Sequence, residues 1–124
     1  MGSIGLVIVS HSKNIAQGLV ELIGEVAKDV PITYVGGTED GEIGTSFDQV
    51  DRVVSENPAD TLLAFFDLGS AKMNLEMVAD FSDKSIIINS VPIVEGAYTA
   101  AALLQAGAEL PVIQTQLAEL EINK

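Results

Sequence analysis

The chain of 124 residues contains one histidine, His11, and no cysteine. A single imidazole rules out every zinc motif that needs two, and the lack of thiols removes disulfides, thiolate metal sites and cysteine nucleophiles. Chemistry that uses one ring nitrogen remains open. His11 stands between Ser10 and Ser12 in the stretch VIVSHS, where the plain reading of a lone histidine is a surface or helix-capping residue. A second polar cluster, Asp67-Leu68-Gly69-Ser70, follows the apolar run that ends in Phe66 and leads into a helical pattern. Its plain reading is a strand-to-helix turn with Ser70 as N-cap. Its chemical reading is anion binding, because the free amides and dipole of a helix start favour negative charge. If His11 and Asp67 converge, the carboxylate accepts one ring N–H, fixes the tautomer and raises the basicity of the other nitrogen. A histidine held this way serves as general base or nucleophile. Next to a helix N-terminus, phosphoryl transfer is the natural candidate, since its catalysis is mostly positioning and charge stabilisation.

Whether the two clusters meet depends on the elements that carry them. Four apolar runs, Ile4 to Val9, Ile32 to Val35, Leu62 to Phe66 and Ile86 to Ile88, are continuous rather than alternating. Strands buried on both faces require this, and they belong to parallel sheets covered by helices. The stretches between have helical period. Ile15, Leu19, Leu22, Ile23 and Val26 share a face after Ser12, a candidate cap. Ser46-Phe47-Asp48-Gln49 fits a capping box ahead of Val50, Val53 and Val54. A third helix begins near Ser70 with Met73 and Met77 as core filler and Phe81 on the same stripe. A fourth runs from Pro92 to a stop at Gly107, Pro first and Gly last. Pro111 to Ile113 reads as a fifth strand, and the tail Gln114 to Lys124 fits helix and extended edge equally well. The expected fold is a single α/β domain over residues 1–124: a doubly wound, mainly parallel sheet of four or five strands with helices on both faces. Ligands of such sheets sit beyond the carboxyl ends of the strands where strand order switches, between strands one and three in a flavodoxin-like order. His11 and Asp67 follow those two strands.

The loop after strand two, Gly36 to Ser46, borders the same crevice and makes Gly37 and Thr38 further candidate contacts for a phosphate. It has neither the Gly-Lys-Thr/Ser end of a Walker loop nor GxGxxG, and its plain reading is a solvated turn with a helix cap. Glu39, Asp40 and Glu42 lack the spacing of a calcium loop and read as a solvated acidic rim, so no metal site is expected. Six Lys and Arg against 18 Asp and Glu leave a formal charge of −12, which disfavours nucleic acid and anionic membrane surfaces. There is no long apolar span and no basic leader segment, so a cytoplasmic protein without membrane insertion is the expectation. Met1-Gly2-Ser3 begins like an acylation signal, but Leu6 stands where Ser or Thr is wanted.

VIVSHS, GGTEDGEIGTS, FFDLGSAKMNLE and NSVPIVEGAYTAAALLQAG, in this order, resemble the phosphotransferase subunit of phosphoenolpyruvate-dependent dihydroxyacetone kinase, itself similar to the mannose-type enzyme IIA domains of the sugar phosphotransferase system. The resemblance runs from about Ile4 to Gly107. It implies that His11 accepts a phosphoryl group from the histidine phosphocarrier protein HPr and passes it to ADP held in the nucleotide-binding subunit of the kinase. It implies that Asp67 orients His11 and that Leu68, Gly69 and Ser70 receive phosphate oxygens through their backbone. That loop is shorter and less Gly-rich than in mannose-type domains. Mg-ADP would sit in the partner subunit and no cofactor on this chain. Longer members are fused to phosphocarrier-like and enzyme I-like domains, which here are expected as separate proteins. Mannose-type domains dimerise, so a homodimer is expected.

The runner-up is an enzyme IIA domain of a mannose-type sugar transporter. From another class, a receiver-like signalling domain shares the fold and phosphorylates an Asp after strand three. It also needs acidic residues after strand one and a Lys after strand five, where this chain has Ser10-His11-Ser12 and Gln114-Thr115. A flavin binder wants aromatic cover that two tyrosines and no tryptophan do not supply.

Overall fold

Branched and aromatic residues fill the strands of the computed structural model, which describes residues 3–124; the acylation motif at residues 1 and 2 lies outside the described residues. β1 (Ile4–Ser10), β2 (Ile32–Gly36), β3 (Thr61–Phe66) and β4 (Ser85–Asn89) form one sheet in the order β2-β1-β3-β4. All three pairings are parallel. Five helices accompany them: α1 (Lys13–Gly24), α2 (Phe47–Glu56), α3 (Gly69–Phe81), α4 (Ile93–Gln105) and α5 (Leu110–Ala118). This is the expected doubly wound α/β fold. None of these helices is long and apolar enough to cross a membrane.

The two faces of the sheet carry separate cores. Leu6, Ile8, Leu63 and Phe65 pack with Leu19 and Ile23 of α1, Ala97 and Ala101 of α4, and Ile113 and Leu117 of α5. Val7, Val9, Leu62, Ala64 and Phe66 point the other way, against Val50, Val53 and Val54 of α2 and Ala71, Leu75 and Val78 of α3. Successive side chains alternate between faces, and both faces are covered, so the central strands need apolar residues at every position. Burying each large side chain contributes about 1.5–3 kcal/mol.

Two expectations fail. Pro111 to Ile113 is the first part of α5, not a fifth strand. Pro111 falls in its first turn, where a missing N–H costs nothing, and Ile113 and Leu117, four residues apart, both enter the core. Met73 and Met77 are not core filler: they are 63% and 43% exposed, and Phe81 is 81% exposed. The smaller Ala71, together with Leu75 and Val78, takes the buried stripe of α3 and turns the bulkier stripe outward. Ile15 and Leu22 of α1 are likewise half-exposed. The capping box at Ser46 forms in part. Its hydroxyl accepts the Gln49 N–H at 3.3 Å, but the Gln49 side chain meets that same hydroxyl instead of the Ser46 amide.

Candidate active site

In the β1–β3 pairing, Val9 lies opposite Phe66, so the residues that follow leave the sheet side by side. The chain from β1 continues into α1 and that from β3 into α3, on opposite faces, which opens the crevice between them. Asp67 sits there with both carboxylate oxygens engaged. Oδ1 accepts the His11 ring at Nδ1 (2.8 Å) and the Leu68 N–H (2.7 Å), while Oδ2 accepts the Ser10 hydroxyl (2.7 Å) and the His11 N–H (2.9 Å). Burial by itself would raise the Asp67 carboxyl. The bonds from the His11 backbone and ring, the Ser10 hydroxyl and the Leu68 amide outweigh it and hold the group below its ordinary value.

An ionised carboxylate only accepts, so in the neutral imidazole the proton lies on Nδ1 and the lone pair on Nε2. Nε2 faces the Ser70 hydroxyl at 2.5 Å, with Ser70 donating. His11 and Asp67 are each about one-seventh exposed, enough to meet a partner and too little to be freely hydrated. The structure therefore brings His11, Asp67 and Ser70 together. Ser70 is not the N-cap of α3: Leu68 occupies that position without a side-chain cap bond, and the serine hydroxyl turns to the imidazole instead. Gly69 and Ser70 are the first two residues of α3, whose amides have no acceptor within the helix. The Leu68 amide is already spent on Asp67 and is not free for a phosphate.

Gly37 and Thr38 also differ from expectation. The Gly37 N–H goes to the Ser10 carbonyl (3.2 Å), and the Thr38 N–H to the Glu42 carbonyl (2.8 Å), while the Thr38 hydroxyl accepts from Glu42. Their donors close the loop and brace β1 from behind. The Gly44 N–H takes the His11 carbonyl at 2.9 Å, so the loop's contribution is to hold the histidine's backbone. Gly36 allows the approach. A Cβ there would lie 2.3 Å from the Ser12 carbonyl and 2.6 Å from Lys13 Cα. An open cleft of about 350 Å³, bordered by Lys13, Tyr34, Thr38, Gln49 and Arg52, includes neither His11 nor Asp67 in its lining. Among the described residues no group of three or more His, Asp or Glu could hold a metal ion.

Ser10 had no role assigned from sequence. It is buried, donates to Asp67 and accepts the Ser12 N–H at 3.0 Å. The available signal was a polar residue closing a strand otherwise free of them. Lys124 was also missed: its ammonium donates to the Phe66 carbonyl at 2.6 Å.

Comparison with known proteins identifies the family. Residues 5–114 match the EIIA-man family, described as the PTS system fructose IIA component. The chain is 58% identical over 120 residues to the PTS-dependent dihydroxyacetone kinase phosphotransferase subunit DhaM of Lactococcus lactis, covering 97% of this chain and 98% of that one. It is 52% identical over 119 residues to the phosphoryl donor subunit DhaM of PEP-dependent dihydroxyacetone kinase 1 of Listeria innocua, covering 96% of each. Among solved structures, the crystal structure of a protein of unknown function, EF1359, superposes with a TM-score of 0.84 at 27% identity, covering 98% of this chain and 97% of the other. The parallel sheet, the histidine after its first strand and these similarities together mean that the chain belongs to the EIIA-man family, in the branch of the DhaM subunits.

Proposed function

We propose that this chain is the phosphohistidine subunit of a phosphoenolpyruvate-dependent dihydroxyacetone kinase, with His11 Nε2 as the atom that carries the phosphoryl group. The observation that carries the reading is the state of the lone histidine. Nδ1 is tied to a fully satisfied carboxylate, and Nε2 faces a hydroxyl and the free amides of a helix start. The names of the two similar DhaM subunits support the substrate class.

The Nε2 lone pair attacks phosphorus as the N–P bond of a phosphohistidine donor, HPr, breaks and its electron pair returns to the donor ring. No proton has to leave Nε2, and Nδ1 keeps its own. Asp67 stabilises the imidazolium character that develops on the ring. The Ser70 hydroxyl turns from Nε2 to a phosphoryl oxygen, and the Gly69 and Ser70 amides offer the adjoining donors. In the second half-reaction the Nε2–P bond breaks and a terminal oxygen of ADP, bound with Mg²⁺ in the nucleotide-binding subunit, takes the phosphoryl group. The ATP formed there phosphorylates dihydroxyacetone on a third subunit. Self-association as a homodimer belongs to the same reading and is checked by sedimentation.

The test is incubation with phosphoenolpyruvate, enzyme I and HPr, followed by intact mass. The wild type gains one phosphoryl group, lost in acid and stable in base, and His11→Ala gains none. Phosphate on His11→Ala, or a base-labile adduct of the kind Asp67 would form, overturns the assignment.

A further inference from the structure

One of the six cations of this acidic chain reaches the site from the far end of the sequence. The Lys124 ammonium donates to the Phe66 carbonyl and lies 4.3 Å from the centre of the Phe66 ring. Phe66 is the fully buried last residue of β3, and the peptide whose oxygen Lys124 holds is the one that contributes the Asp67 nitrogen. The tail does not pass by loosely. After α5, Leu120 packs on the core, and the Ile122 N–H donates to the Ser90 carbonyl at 2.9 Å, just beyond β4. Immobilising a lysine stem costs rotamer entropy, which the charge-assisted hydrogen bond and the ring contact offset. Burial lowers the ammonium's pKa, and the charge of Asp67 works against that lowering.

The phosphorylated state gives this contact a purpose. With the phosphoryl group on Nε2 and the proton kept on Nδ1, the ring carries imidazolium charge, and the carboxylate has to stay aligned on Nδ1 to stabilise it. We propose that Lys124 is a positioning residue for the His11–Asp67 pair: by holding the Phe66 carbonyl it fixes the Phe66–Asp67 peptide, so that Asp67 stays on Nδ1 while Nε2 carries the phosphoryl group. The phosphoryl part of this inference rests on the function proposed above; the effect of Lys124 on Asp67 does not.

Lys124→Met and Lys124→Arg in the full chain test it with two readouts. In the unphosphorylated protein, carbon NMR of the Asp67 carboxyl should show its titration midpoint move up in Lys124→Met, because a peptide no longer held in place weakens the donor bonds that keep the carboxyl low, and return toward wild type in Lys124→Arg. An unmoved midpoint in Lys124→Met, or an arginine no different from methionine, overturns the proposal whether or not the chain accepts phosphate. In transfer from HPr, Lys124→Met should lose about tenfold in maximal rate, with the half-saturating HPr concentration within about twofold of wild type, and arginine should recover most of the loss. A methionine variant as fast as wild type overturns the proposal. A wild type that takes no phosphoryl group sinks the phosphohistidine reading alone, and the carboxyl titration then still decides the role of Lys124.

Discussion

Asp67 accepts four hydrogen bonds from three residues on two chain segments, and removing it has a cost in both stability and rate. Asp67→Ala leaves the buried Ser10 hydroxyl and the His11 amide without their acceptor, a loss on the order of 1–3 kcal/mol. It also frees the imidazole to change tautomer, so transfer into and out of His11 should slow by roughly tenfold or more. Its pH dependence follows from the lowered carboxyl. The stability it contributes is complete above the unfolded value of about 3.9 and is lost as pH falls through the lower folded value. Urea denaturation of wild type and Asp67→Ala should therefore show a gap that is constant near neutrality and narrows below about pH 4. A gap independent of pH would mean that the carboxylate's charge has no part in it. His11 and Asp67 were legible in the sequence because each is the first strongly polar side chain after an apolar strand. Ser10 was not: what distinguishes it is the carboxylate it touches, 57 positions away.

At the scale of the element, the strands and first four helices follow from local pattern, and α5 does not. Two apolar residues after a proline fit a short strand or a helix start, and only the spacing of Ile113 to Leu117 against α4 and the sheet decides between them. Ile113 is fully buried and Val112 half-exposed, so the helix makes a sharp prediction. Ile113→Ala should cost about 2–5 kcal/mol, and Val112→Ala within about 0.5 kcal/mol of nothing. Equal losses at both positions in thermal or urea unfolding would contradict a helix packed by one face. The outward turn of Met73, Met77 and Phe81 was hidden for a related reason. Helical period shows that an apolar stripe exists, but α3 carries two, and the tighter fit of Ala71, Leu75 and Val78 under α2 selects the inner one.

For the whole molecule, the net charge of −12 governs how it meets its partners. The transfer proposed above, from one histidine to another, needs only a brief encounter, and an acidic surface speeds encounter with a basic face while salt weakens it. At sub-saturating donor, the rate of His11 phosphorylation should fall as ionic strength rises from about 50 to 500 mM, as the Debye length shrinks from more than 10 Å to a few ångströms. The maximal rate should change little. A salt-independent half-saturation would show that charge does not steer this docking. The exposed apolar stripe of α3 lies on the element that begins at Gly69 and Ser70.

The four strands, the first four helices, the parallel sheet and the two polar residues that follow β1 and β3 were readable from the sequence. Each depends on signals within a few residues: continuous apolar runs, caps, and the first polar group beyond a strand. The tertiary structure alone decided which imidazole nitrogen faces the carboxylate, that Ser10 and Ser70 bracket the pair, that Leu68, Gly37 and Thr38 spend amides on the scaffold, and that Lys124 returns to the end of β3. Those contacts join positions many residues apart. They depend on strand register and on the path of the tail, and no local pattern encodes either.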